Sequence, residues 1–425
     1  MNEDYDLIVI GAGMAGVAAA NKCGAAGWRV AIVDALPYGG TCALRGCDPK
    51  KILRRGAEIM DAARLMQGKG IDPGDLSINW ADLMAHKRGF TDPVPDKMEK
   101  GLSGNGVETL HGAARFTGSN TLEVDGTAYQ SERFLVAAGA MPRPLSFTGA
   151  DLVIDSTDFL NLEALPNRVL FIGGGFVSFE FAHIAARAGA NPIIVDRGAR
   201  PLRGFDPDLV EMLIDRSGGI GVDLMRETEI VSVSEASRAF TVEVKSGDET
   251  RTIETDLVVH GAGRVAALAD LNLEAAGVDY SDKGIVVAPH LQSTTNSAVF
   301  AAGDCADTDG MPLTPVAVIE GKVAASNMLK DTQTAPDYAG IPTAVFTVPE
   351  VARVGMLESE ARDAGYDVDV RFTDTGDWYS NYRIGETSAA AKGRCKLNSL
   401  APRKWPVLER QMLAAPFQAS KASIR

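Results

Sequence analysis

The sequence predicts an α/β protein with two doubly wound domains, each built on a parallel sheet. The main observation is that two strand, turn and helix segments with glycine-rich turns occur in the chain, one at its start and one near its middle. The second observation is the length, because 425 residues exceed what one hydrophobic core organises and indicate two or three domains.

The first glycine-rich segment lies near the N-terminus. An apolar strand over residues 6–10 runs into Gly11, Gly13 and Gly16, an alanine-rich helix follows, and the next strand ends at Asp34. Glycines let the backbone approach a pyrophosphate at the helix N-terminus, and an acid about 20 residues later can accept a ribose hydroxyl. The segment therefore predicts a Rossmann-like dinucleotide-binding domain.

A pair of cysteines follows this segment directly. Residues 39–51 read GGTCALRGCDPKK, which places Cys42 and Cys47 five residues apart. If a helix begins at about Thr41, the two sulfurs lie within reach across little more than one turn, and an exchangeable disulfide can close. The N-terminus of such a helix also favours a thiolate. The alternative is a pair of buried structural cysteines, but the adjacent nucleotide motif favours a redox-active pair.

A second glycine-rich segment begins at Arg168. The chain reads VLFIGGGFVSFEFAHIAARAGA after this arginine, and Gly173, Gly175 and Ser178 occupy the Gly-x-Gly-x-x-small positions. Two such segments predict two bound nucleotides. The alternative is that the second turn serves only close helix packing, which is another use of glycine at a strand-to-helix turn.

The residues after the second strand of this segment bear on which nicotinamide nucleotide binds. Asp196 is an acid that can accept hydrogen bonds from the ribose of NADH, whereas Arg197 and Arg203 can pair with the 2′-phosphate of NADPH. The two signals conflict. Two spaced arginines are harder to explain as surface charge than one aspartate, so the sequence favours NADPH over NADH.

The cysteine segment and both nucleotide motifs resemble those of the class I pyridine nucleotide-disulfide oxidoreductases, which include glutathione reductases, dihydrolipoyl dehydrogenases and mercuric reductases. The family motif GGTC-x-N-x-GC-x-P is kept except for its asparagine, which is Leu44 here. The resemblance continues in register from about residue 5 to about residue 392. It implies that the first domain binds FAD and the second a nicotinamide nucleotide.

The resemblance also implies that the NAD(P)-binding domain is inserted in the FAD-binding domain. The expected FAD-binding domain covers residues 1–148 and 262–335, and the expected NAD(P)-binding domain covers residues 149–261. Residues 336–392 then form part of an α+β dimerisation domain, and residues 393–425 form an aberrant tail. We find no helix or strand periodicity in the tail.

The reaction implied by the resemblance uses one flavin and one disulfide in series. NAD(P)H reduces FAD, the flavin reduces the Cys42–Cys47 disulfide, and the dithiol reduces a small disulfide-type substrate. Cys47 is the expected charge-transfer thiolate near the flavin, and Cys42 is the expected interchange thiol. A lysine of the Lys50–Lys51 pair is expected near the flavin and paired with Glu180, and the sequence leaves open which lysine it is.

Other positions match the family where it contacts its cofactors. The backbone beside His111 is expected to bind the adenine of FAD, and Asp304 the ribityl chain, while Ala138 replaces a threonine of the family. The set of these further expected contacts is Gly40, Thr41, His111, Gly112, Ala113, Ala138, Gly139, Gly263, Gly303, Asp304, Thr314 and Ala317.

The chain departs from the family near its end. Members of the family carry a His-Pro-Thr-x-x-Glu acid–base motif in the dimerisation domain, whereas no histidine follows His290 here. Two alternatives to a disulfide reductase therefore stay open: a dihydrolipoyl dehydrogenase that runs in the reverse direction, and a catalytically impaired flavoprotein or NAD(P)H oxidase. The family also implies a homodimer, and the altered C-terminus removes helices expected to bury its interface.

Composition narrows the expected partners and location. The net charge of -14 argues against nucleic acid or an anionic membrane as a partner. Five cysteines are too few for a disulfide-built secreted scaffold, and the N-terminus has no basic and apolar leader, so we expect a cytoplasmic protein. No apolar run reaches the ~20 residues that span a bilayer, and no motif predicts a metal site.

Overall fold

The computed structural model describes residues 4–237, 239–396 and 410–414. The chain divides into two compact units, each assembled from three separate stretches of sequence. Unit 1 comprises Met1–Pro49, Lys87–Arg143 and Arg264–Tyr338. Unit 2 comprises Lys50–His86, Pro144–Gly263 and Ala339–Arg425.

Helices and strands alternate through much of the described chain, as an α/β protein requires. The α-helices, in chain order, are α1 Met14–Ala25, α2 Cys47–Leu65, α3 Trp80–Thr91, α4 Val94–Gly104, α5 Ser156–Phe159, α6 Phe176–Arg187, α7 Pro207–Gly218, α8 Thr314–Lys330, α9 Glu358–Asp363 and α10 Tyr379–Tyr382. The strands, in chain order, are β1 Asp4–Ile10, β2 Val30–Asp34, β3 Val107–His111, β4 Ala114–Gly118, β5 Thr121–Val124, β6 Thr127–Val136, β7 Ala140–Pro142, β8 Arg168–Ile172, β9 Asn191–Val195, β10 Asp223–Met225, β11 Glu229–Ala236, β12 Ala239–Ser246, β13 Glu249–Thr255, β14 Leu257–His260, β15 Arg264–Ala266, β16 Tyr280–Ser281, β17 Gly284–Val286, β18 Val299–Ala301, β19 Ala306–Asp307, β20 Pro342–Val345, β21 Glu350–Val354, β22 Val368–Asp374, β23 Ala390–Lys396 and β24 Arg410–Ala414.

A seven-stranded sheet forms the centre of unit 1. Its order is β3-β2-β1-β6-β5-β4, and β18 also pairs with β6. Strands β1, β2, β3, β6 and β18 are parallel, whereas β4 and β5 join by antiparallel pairing. On β1, Leu7 and Val9 pack in one apolar cluster and Ile8 and Ile10 in another. This burial on both faces explains the continuous apolar run of the sequence.

Unit 2 contains a second parallel sheet with the order β10-β9-β8-β14. On β8, Val169 and Phe171 pack in one apolar cluster, together with Phe179 of α6, and Leu170 and Ile172 pack in another. Strands β11, β12 and β13 form a separate antiparallel sheet. The predicted fold class, α/β with two doubly wound Rossmann-like portions, is confirmed.

The unit boundaries describe backbone compactness and do not assign a ligand to either unit. The predicted limits of the FAD-binding, NAD(P)-binding and dimerisation domains therefore stay predictions. Across the described ranges, no helix combines the length and the apolar character that crossing a membrane requires.

A five-stranded antiparallel sheet in unit 2 differs from the sequence-based expectation. Its order is β20-β21-β24-β23-β22. Strands β23 and β24 extend into the segment after Lys392, so the absence of strand structure inferred there is wrong for these residues. Strand β24 pairs with both β21 and β23 through the backbone, and backbone pairing does not require alternating side chains. The rest of the predicted tail lies outside the described residues.

Candidate active site

The cysteine segment forms two short helical pieces instead of one helix. A π-helical turn covers Thr41–Arg45, and α2 begins at Cys47. Between them Gly46 adopts φ −156° and ψ −107°, which is not a helical conformation. A helical turn therefore begins at Thr41, but it ends at Arg45, so the two cysteines do not share one helix. As a result Cys47 occupies the N-terminus of α2, where the helix dipole favours a thiolate, and Cys42 lies in the turn before it.

The two sulfurs lie close enough for a hydrogen bond between them. The hydrogen bond between Cys42 and Cys47, together with burial, raises the pKa of the Cys42 thiol, so Cys42 keeps its proton and Cys47 is the acceptor. The Sγ atom of Cys47 is 3.5 Å from Oγ1 of Thr314, the first residue of α8. The pair therefore has the proximity that thiol–disulfide exchange requires.

The first glycine turn meets the cysteine segment at close range. Gly13 is the N-cap of α1 and leaves the first backbone N–H groups of the helix without a side-chain cap. Gly40 has φ +63°, and a Cβ atom there would lie 2.5 Å from Cα of Gly13. A Cβ atom at Gly11 would lie 2.3 Å from the carbonyl oxygen of Ala137, and one at Gly16 would lie 2.0 Å from that of Gly11. The turn thus forms a cradle of N–H groups without a side-chain cap, which suits a pyrophosphate.

Asp34 ends β2 next to this cradle. Its Oδ2 accepts a hydrogen bond of 2.8 Å from the Ala12 N–H, and its Oδ1 accepts one of 2.9 Å from the Leu36 N–H. A carboxylate has about four acceptor positions. Asp34 therefore holds the turn in place and keeps acceptor capacity for a ribose hydroxyl.

Asp304 is the second acid of unit 1 that the sequence singles out. Its carboxylate makes no hydrogen bond to another residue in the described part of the chain. Burial raises its pKa, and the positive charge of Arg264 opposes this shift. Gly303, which precedes it, has φ +76° and faces Ala317 of α8. Asp304 is thus a half-buried acceptor available to the hydroxyls of a ligand.

Some of the groups predicted to contact the adenine of FAD already bind other residues of the protein. The N–H of Ala113 donates a hydrogen bond of 3.1 Å to Oδ1 of Asp125, and Gly112 has φ +139° with no room for a Cβ atom beside that aspartate. The ring of His111 lies 5.0 Å from the ring of Tyr38, and its Nε2 lies 3.2 Å from a Glu99 oxygen. The His111 side chain is therefore occupied by protein contacts.

Three further predicted residues lie where the chain leaves strands. Ala138 and Gly139 follow β6, and Gly139 accepts a hydrogen bond of 3.0 Å from the Ala267 N–H. Gly263 precedes β15 and has φ +105°, a conformation that favours glycine. None of these positions presents a polar side chain, so any contact with a ligand would use the backbone.

Unit 2 contains the buried ion pair between Lys50 and Glu180. The Nζ atom of Lys50 is 2.5 Å from Oε2 of Glu180, and both side chains are buried. The other oxygen, Oε1, accepts a hydrogen bond of 2.7 Å from the Phe346 N–H. Lys51 is exposed, and its Nζ lies 4.5 Å from the centre of the Phe346 ring. Of the two lysines that the sequence left open, Lys50 contacts Glu180. Sequence reasoning missed Phe346 because no motif marks it.

The second glycine turn packs tightly in the same unit. Gly173 has φ +97°, Gly175 is the N-cap of α6, and Ser178 is buried behind the turn. The Asp196 carboxylate closely approaches Gly174, where a Cβ atom would lie 2.3 Å from Oδ2. The acid therefore reaches the glycine turn, as nucleotide binding at such a turn requires.

Three arginines lie in the loop after Asp196. Arg197, Arg200 and Arg203 are exposed, and none forms an ion pair with a carboxylate in the part of the chain that the structure describes. Arg200 and Arg203 donate hydrogen bonds to each other's backbone carbonyls, at 3.0 and 3.4 Å. Arg200 was not among the predicted contacts, although it stands midway between the two that were. The loop thus carries three guanidinium groups without a carboxylate partner.

Comparison with known proteins identifies the family. A family model described as pyridine nucleotide-disulphide oxidoreductase matches residues 5–321, well over half of the chain. The chain belongs to the pyridine nucleotide-disulphide oxidoreductase family. This oxidoreductase is 33% identical to a glutathione reductase of Burkholderia cepacia over 367 residues, which cover 86% of this chain and 81% of that protein.

Two other relatives extend the comparison. A mercuric reductase of Bacillus cereus is 31% identical over 370 residues, which cover 86% of this chain but only 58% of that protein. A dihydrolipoyl dehydrogenase of Bacillus subtilis is 29% identical over 411 residues, which cover 95% of this chain and 85% of that protein. The predicted family is therefore confirmed.

Membership makes this chain a flavoprotein oxidoreductase of a family that uses FAD, NAD(P)H and a redox-active disulphide. The residues of unit 1 fit FAD, because the glycine cradle at Gly13 and Gly40 suits its pyrophosphate. The acceptors on Asp34 and Asp304 suit its hydroxyl groups.

Proposed function

We propose that this protein is an FAD-dependent NAD(P)H:disulfide oxidoreductase that passes two electrons through the Cys42–Cys47 pair to a small disulfide substrate. The observation that carries this proposal is the contact between the two thiols at the N-terminus of α2, with Cys47 held against Thr314. Bound FAD supplies the step that accepts hydride from NAD(P)H and passes two electrons to the cysteine disulfide. Overall, NAD(P)H, one proton and one disulfide yield NAD(P)⁺ and two thiols.

The cysteines carry the exchange with the substrate. The Cys42 sulfur, once deprotonated, attacks one sulfur of the substrate disulfide and releases the other half as a thiolate, which takes up a proton. Cys47 then attacks Cys42 in the mixed disulfide, which releases the second thiol and restores the protein disulfide. Because the hydrogen bond to Cys47 and burial raise the pKa of Cys42, this residue requires a base before it can attack the substrate.

The remaining predicted residues are assigned to the cofactors. The FAD pyrophosphate is proposed to bind to the backbone of the two glycine turns, at Gly11, Gly13, Gly16, Gly40 and Thr41. Lys50, fixed by Glu180, is proposed to stabilise negative charge on the reduced flavin, which is the role expected of a buried lysine in this motif. The other proposed cofactor contacts are Asp34, His111, Gly112, Ala113, Ala138, Gly139, Gly263, Gly303, Asp304, Thr314 and Ala317.

We propose NADPH as the preferred electron donor. The loop that follows Asp196 carries Arg197 and Arg203, which have no carboxylate partner in the described ranges and can therefore pair with a 2′-phosphate. Gly173, Gly175 and Ser178 are proposed to bind the pyrophosphate of this nucleotide. Replacement of Arg197 and Arg203 by leucine is expected to raise the Michaelis constant for NADPH about tenfold or more, and to leave that for NADH within about twofold.

The second candidate is a dihydrolipoyl dehydrogenase that runs in the reverse direction with NAD⁺. The observation that favours it is the Asp196 carboxylate, which reaches the glycine turn and makes no hydrogen bond in the described part of the chain. Such a carboxylate suits the ribose of NADH and repels a 2′-phosphate. Asp196→Asn distinguishes the candidates. If the protein is a dihydrolipoyl dehydrogenase, the substitution is expected to weaken the binding of NADH. If it is an NADPH-dependent disulfide reductase, the binding of NADPH is expected to stay unchanged or to become tighter.

The proposed function is tested by anaerobic titration of the FAD-loaded protein with NADPH and then with NADH. In the unsubstituted protein we expect a long-wavelength charge-transfer absorbance to appear after two electrons. In Cys42→Ser, which has no disulfide to reduce, this absorbance should be present before reduction and bleach as the flavin is reduced, and Cys47→Ser should lack it throughout. Bleaching of the flavin without that absorbance in the unsubstituted protein would contradict the relay and leave an NAD(P)H oxidase or an impaired flavoprotein.

A further inference from the structure

A buried carboxylate on α8 lies beside the Asp304 loop and has no role in the proposed relay. Glu320 is 1% exposed. Its Oε2 accepts a hydrogen bond of 2.6 Å from the Gly303 N–H. Its Oε1 accepts one of 2.8 Å from the Thr308 hydroxyl and one of 2.7 Å from the Tyr338 hydroxyl. Three donors, two from the loop before α8 and one from the segment after it, therefore converge on one carboxylate.

This carboxylate is held by hydrogen-bond donors and not by a cation. No lysine, arginine or histidine forms an ion pair with Glu320 in the part of the chain that the structure describes. Burial and the hydrogen bond to Glu320 raise the pKa of Tyr338, so its hydroxyl stays protonated and continues to donate. A buried carboxylate requires such partners, because an unsatisfied one is costly to bury.

The partners of Glu320 lie next to residues proposed to contact FAD. The N–H that it binds belongs to Gly303, whose neighbour in sequence is Asp304. Gly303 has φ +76°, so its conformation is one that few residues adopt without support. Helix α8, which carries Glu320, begins at Thr314, and Thr314 contacts Cys47. Glu320 thus joins the Asp304 loop to the helix that contacts the redox pair.

We propose that Glu320 is a positioning residue that holds the Gly303–Asp304 turn in the conformation that binds FAD. The proposal rests on the proposed role of Asp304 as a ligand of the FAD hydroxyls. The carboxylate acts through the backbone of Gly303, which fixes where the Asp304 side chain leaves the chain. Thr308 and Tyr338 fix the carboxylate in turn.

The test compares two one-atom exchanges on the same helix. Glu320→Gln replaces an acceptor oxygen by an NH₂ group that repels its N–H and O–H donors. Asn327→Asp makes the converse exchange at a residue that is 2% exposed and bonds to His290 and Thr334 instead of to the Asp304 loop. For each variant, FAD is removed, and the FAD dissociation constant and the thermal midpoint of the apoprotein are measured.

We expect Glu320→Gln to weaken FAD binding about tenfold, the size expected for the loss of a hydrogen bond to a charged group. Both variants should lower the thermal midpoint of the apoprotein by similar amounts, whereas the FAD dissociation constant of Asn327→Asp should stay within about twofold of that of the unsubstituted protein. An unchanged constant in Glu320→Gln, or an equal loss of FAD affinity in both variants, would overturn the proposal.

Asp304→Asn, measured in parallel, separates this proposal from the one on which it rests. If Asp304→Asn weakens FAD binding and Glu320→Gln does not, the positioning role fails while the proposed FAD contact stands. If neither substitution weakens binding, the role of Asp304 is itself wrong, and the positioning role falls with it.

Discussion

At the scale of single residues, the two adjacent lysines of α2 differ sharply in their surroundings. Lys50 is buried against Glu180, whereas Lys51 is exposed. Lys50→Met would leave Glu180 as a buried charge without its cation, so we expect it to lower the free energy of unfolding by about 3 kcal/mol. Lys51→Met should change that energy by no more than about 0.5 kcal/mol. Urea denaturation of the two apoproteins measures the difference, and equal effects would show that the ion pair contributes nothing.

His183 of α6 is a neutral histidine fixed by its neighbours. Its Nδ1 faces the N–H of Val348 and a guanidinium nitrogen of Arg187, both at 3.2 Å, so this atom accepts and carries no proton. Its Nε2 lies 2.8 Å from the hydroxyl of Ser217, which in turn donates to Leu213. Burial, followed by the charges of Arg187 and Arg216, holds the pKa of His183 well below 6.5.

This arrangement predicts a loss of stability in acid. Below the unfolded-state pKa of 6.5 the unfolded chain binds a proton at His183 that the folded chain does not bind, so the free energy of unfolding falls as the pH falls. The expected contribution is about 1.4 kcal/mol between about pH 7.5 and about pH 5.5. His183→Asn keeps an acceptor for the Val348 N–H and cannot titrate, so its unfolding energy should lack this contribution. An identical pH dependence in both proteins would contradict the assignment.

At the residue scale, the sequence indicates candidate groups that stand together in a motif and misses partners that lie outside it. The cysteine pair and Asp304 stand in motifs of neighbouring residues. Phe346 is 166 residues from Glu180, whose carboxylate accepts a hydrogen bond from its N–H. Glu320 is 17 residues from Gly303, and no motif links the two. Only the fold brings such residues together, so no local pattern of residue types marks them.

At the scale of elements, the meeting of two glycine turns predicts a selective effect on FAD binding. Gly40→Ala introduces a Cβ atom 2.5 Å from Cα of Gly13, and Gly27→Ala introduces one with nothing within 4 Å, although both glycines have positive φ. Both variants should lose roughly 1 kcal/mol of stability from backbone strain. Only Gly40→Ala should also weaken FAD binding, by about tenfold, because it displaces the turn that cradles the pyrophosphate.

The measurement is the FAD dissociation constant of each apoprotein, followed by quenching of flavin fluorescence. Gly27→Ala controls for strain alone. Equal FAD dissociation constants in the two variants would contradict the proposal that the turn at Gly13 and Gly40 binds the FAD pyrophosphate.

The helix that begins at Cys47 shows a second limit of sequence reading at this scale. The segment TCALR has residue types that suit a helix, and a π-helical turn forms there, but Gly46 ends it before α2 begins. Glycine adopts the non-helical conformation at little cost, and its neighbours do not reveal that it will. The break nevertheless decides that Cys47, rather than Thr41, receives the field of the helix N-terminus.

At the scale of the whole molecule, strands β23 and β24 occupy inner positions of the five-stranded sheet. Strand β24 lies between β21 and β23, and Lys392 of β23 pairs with Asp206, Asp208 and Glu358. A chain that ends after Ser388 lacks both strands. We expect it to lose amide hydrogen-exchange protection in β21 and β22, while protection in β1 and β2 of unit 1 is retained.

Lys392→Met in the full chain is the matched control, because it removes the ion pairs and keeps the strands. Its exchange in β21 should stay close to that of the unsubstituted protein. Undiminished protection of β21 and β22 in the shortened chain would show that β23 and β24 do not stabilise this sheet.

The same scale shows how much of the architecture was predictable. Both parallel sheets follow from apolar strands that run into glycine turns, because a strand buried on both faces has an unbroken apolar sequence. The five-stranded sheet did not follow, since β23 and β24 owe their place to backbone pairing with distant strands. Such backbone pairing depends on the positions of the partner strands, which the residues of β23 and β24 do not themselves reveal.

The division of the chain into interleaved stretches has a consequence for its biosynthesis. The parallel sheet of unit 1 needs β18, which is translated only after most of unit 2 has been made. Unit 2 in turn waits for β24. Unit 1 therefore cannot finish folding before most of unit 2 has been made, and β21 and β23 each lack one pairing partner until β24 has been translated.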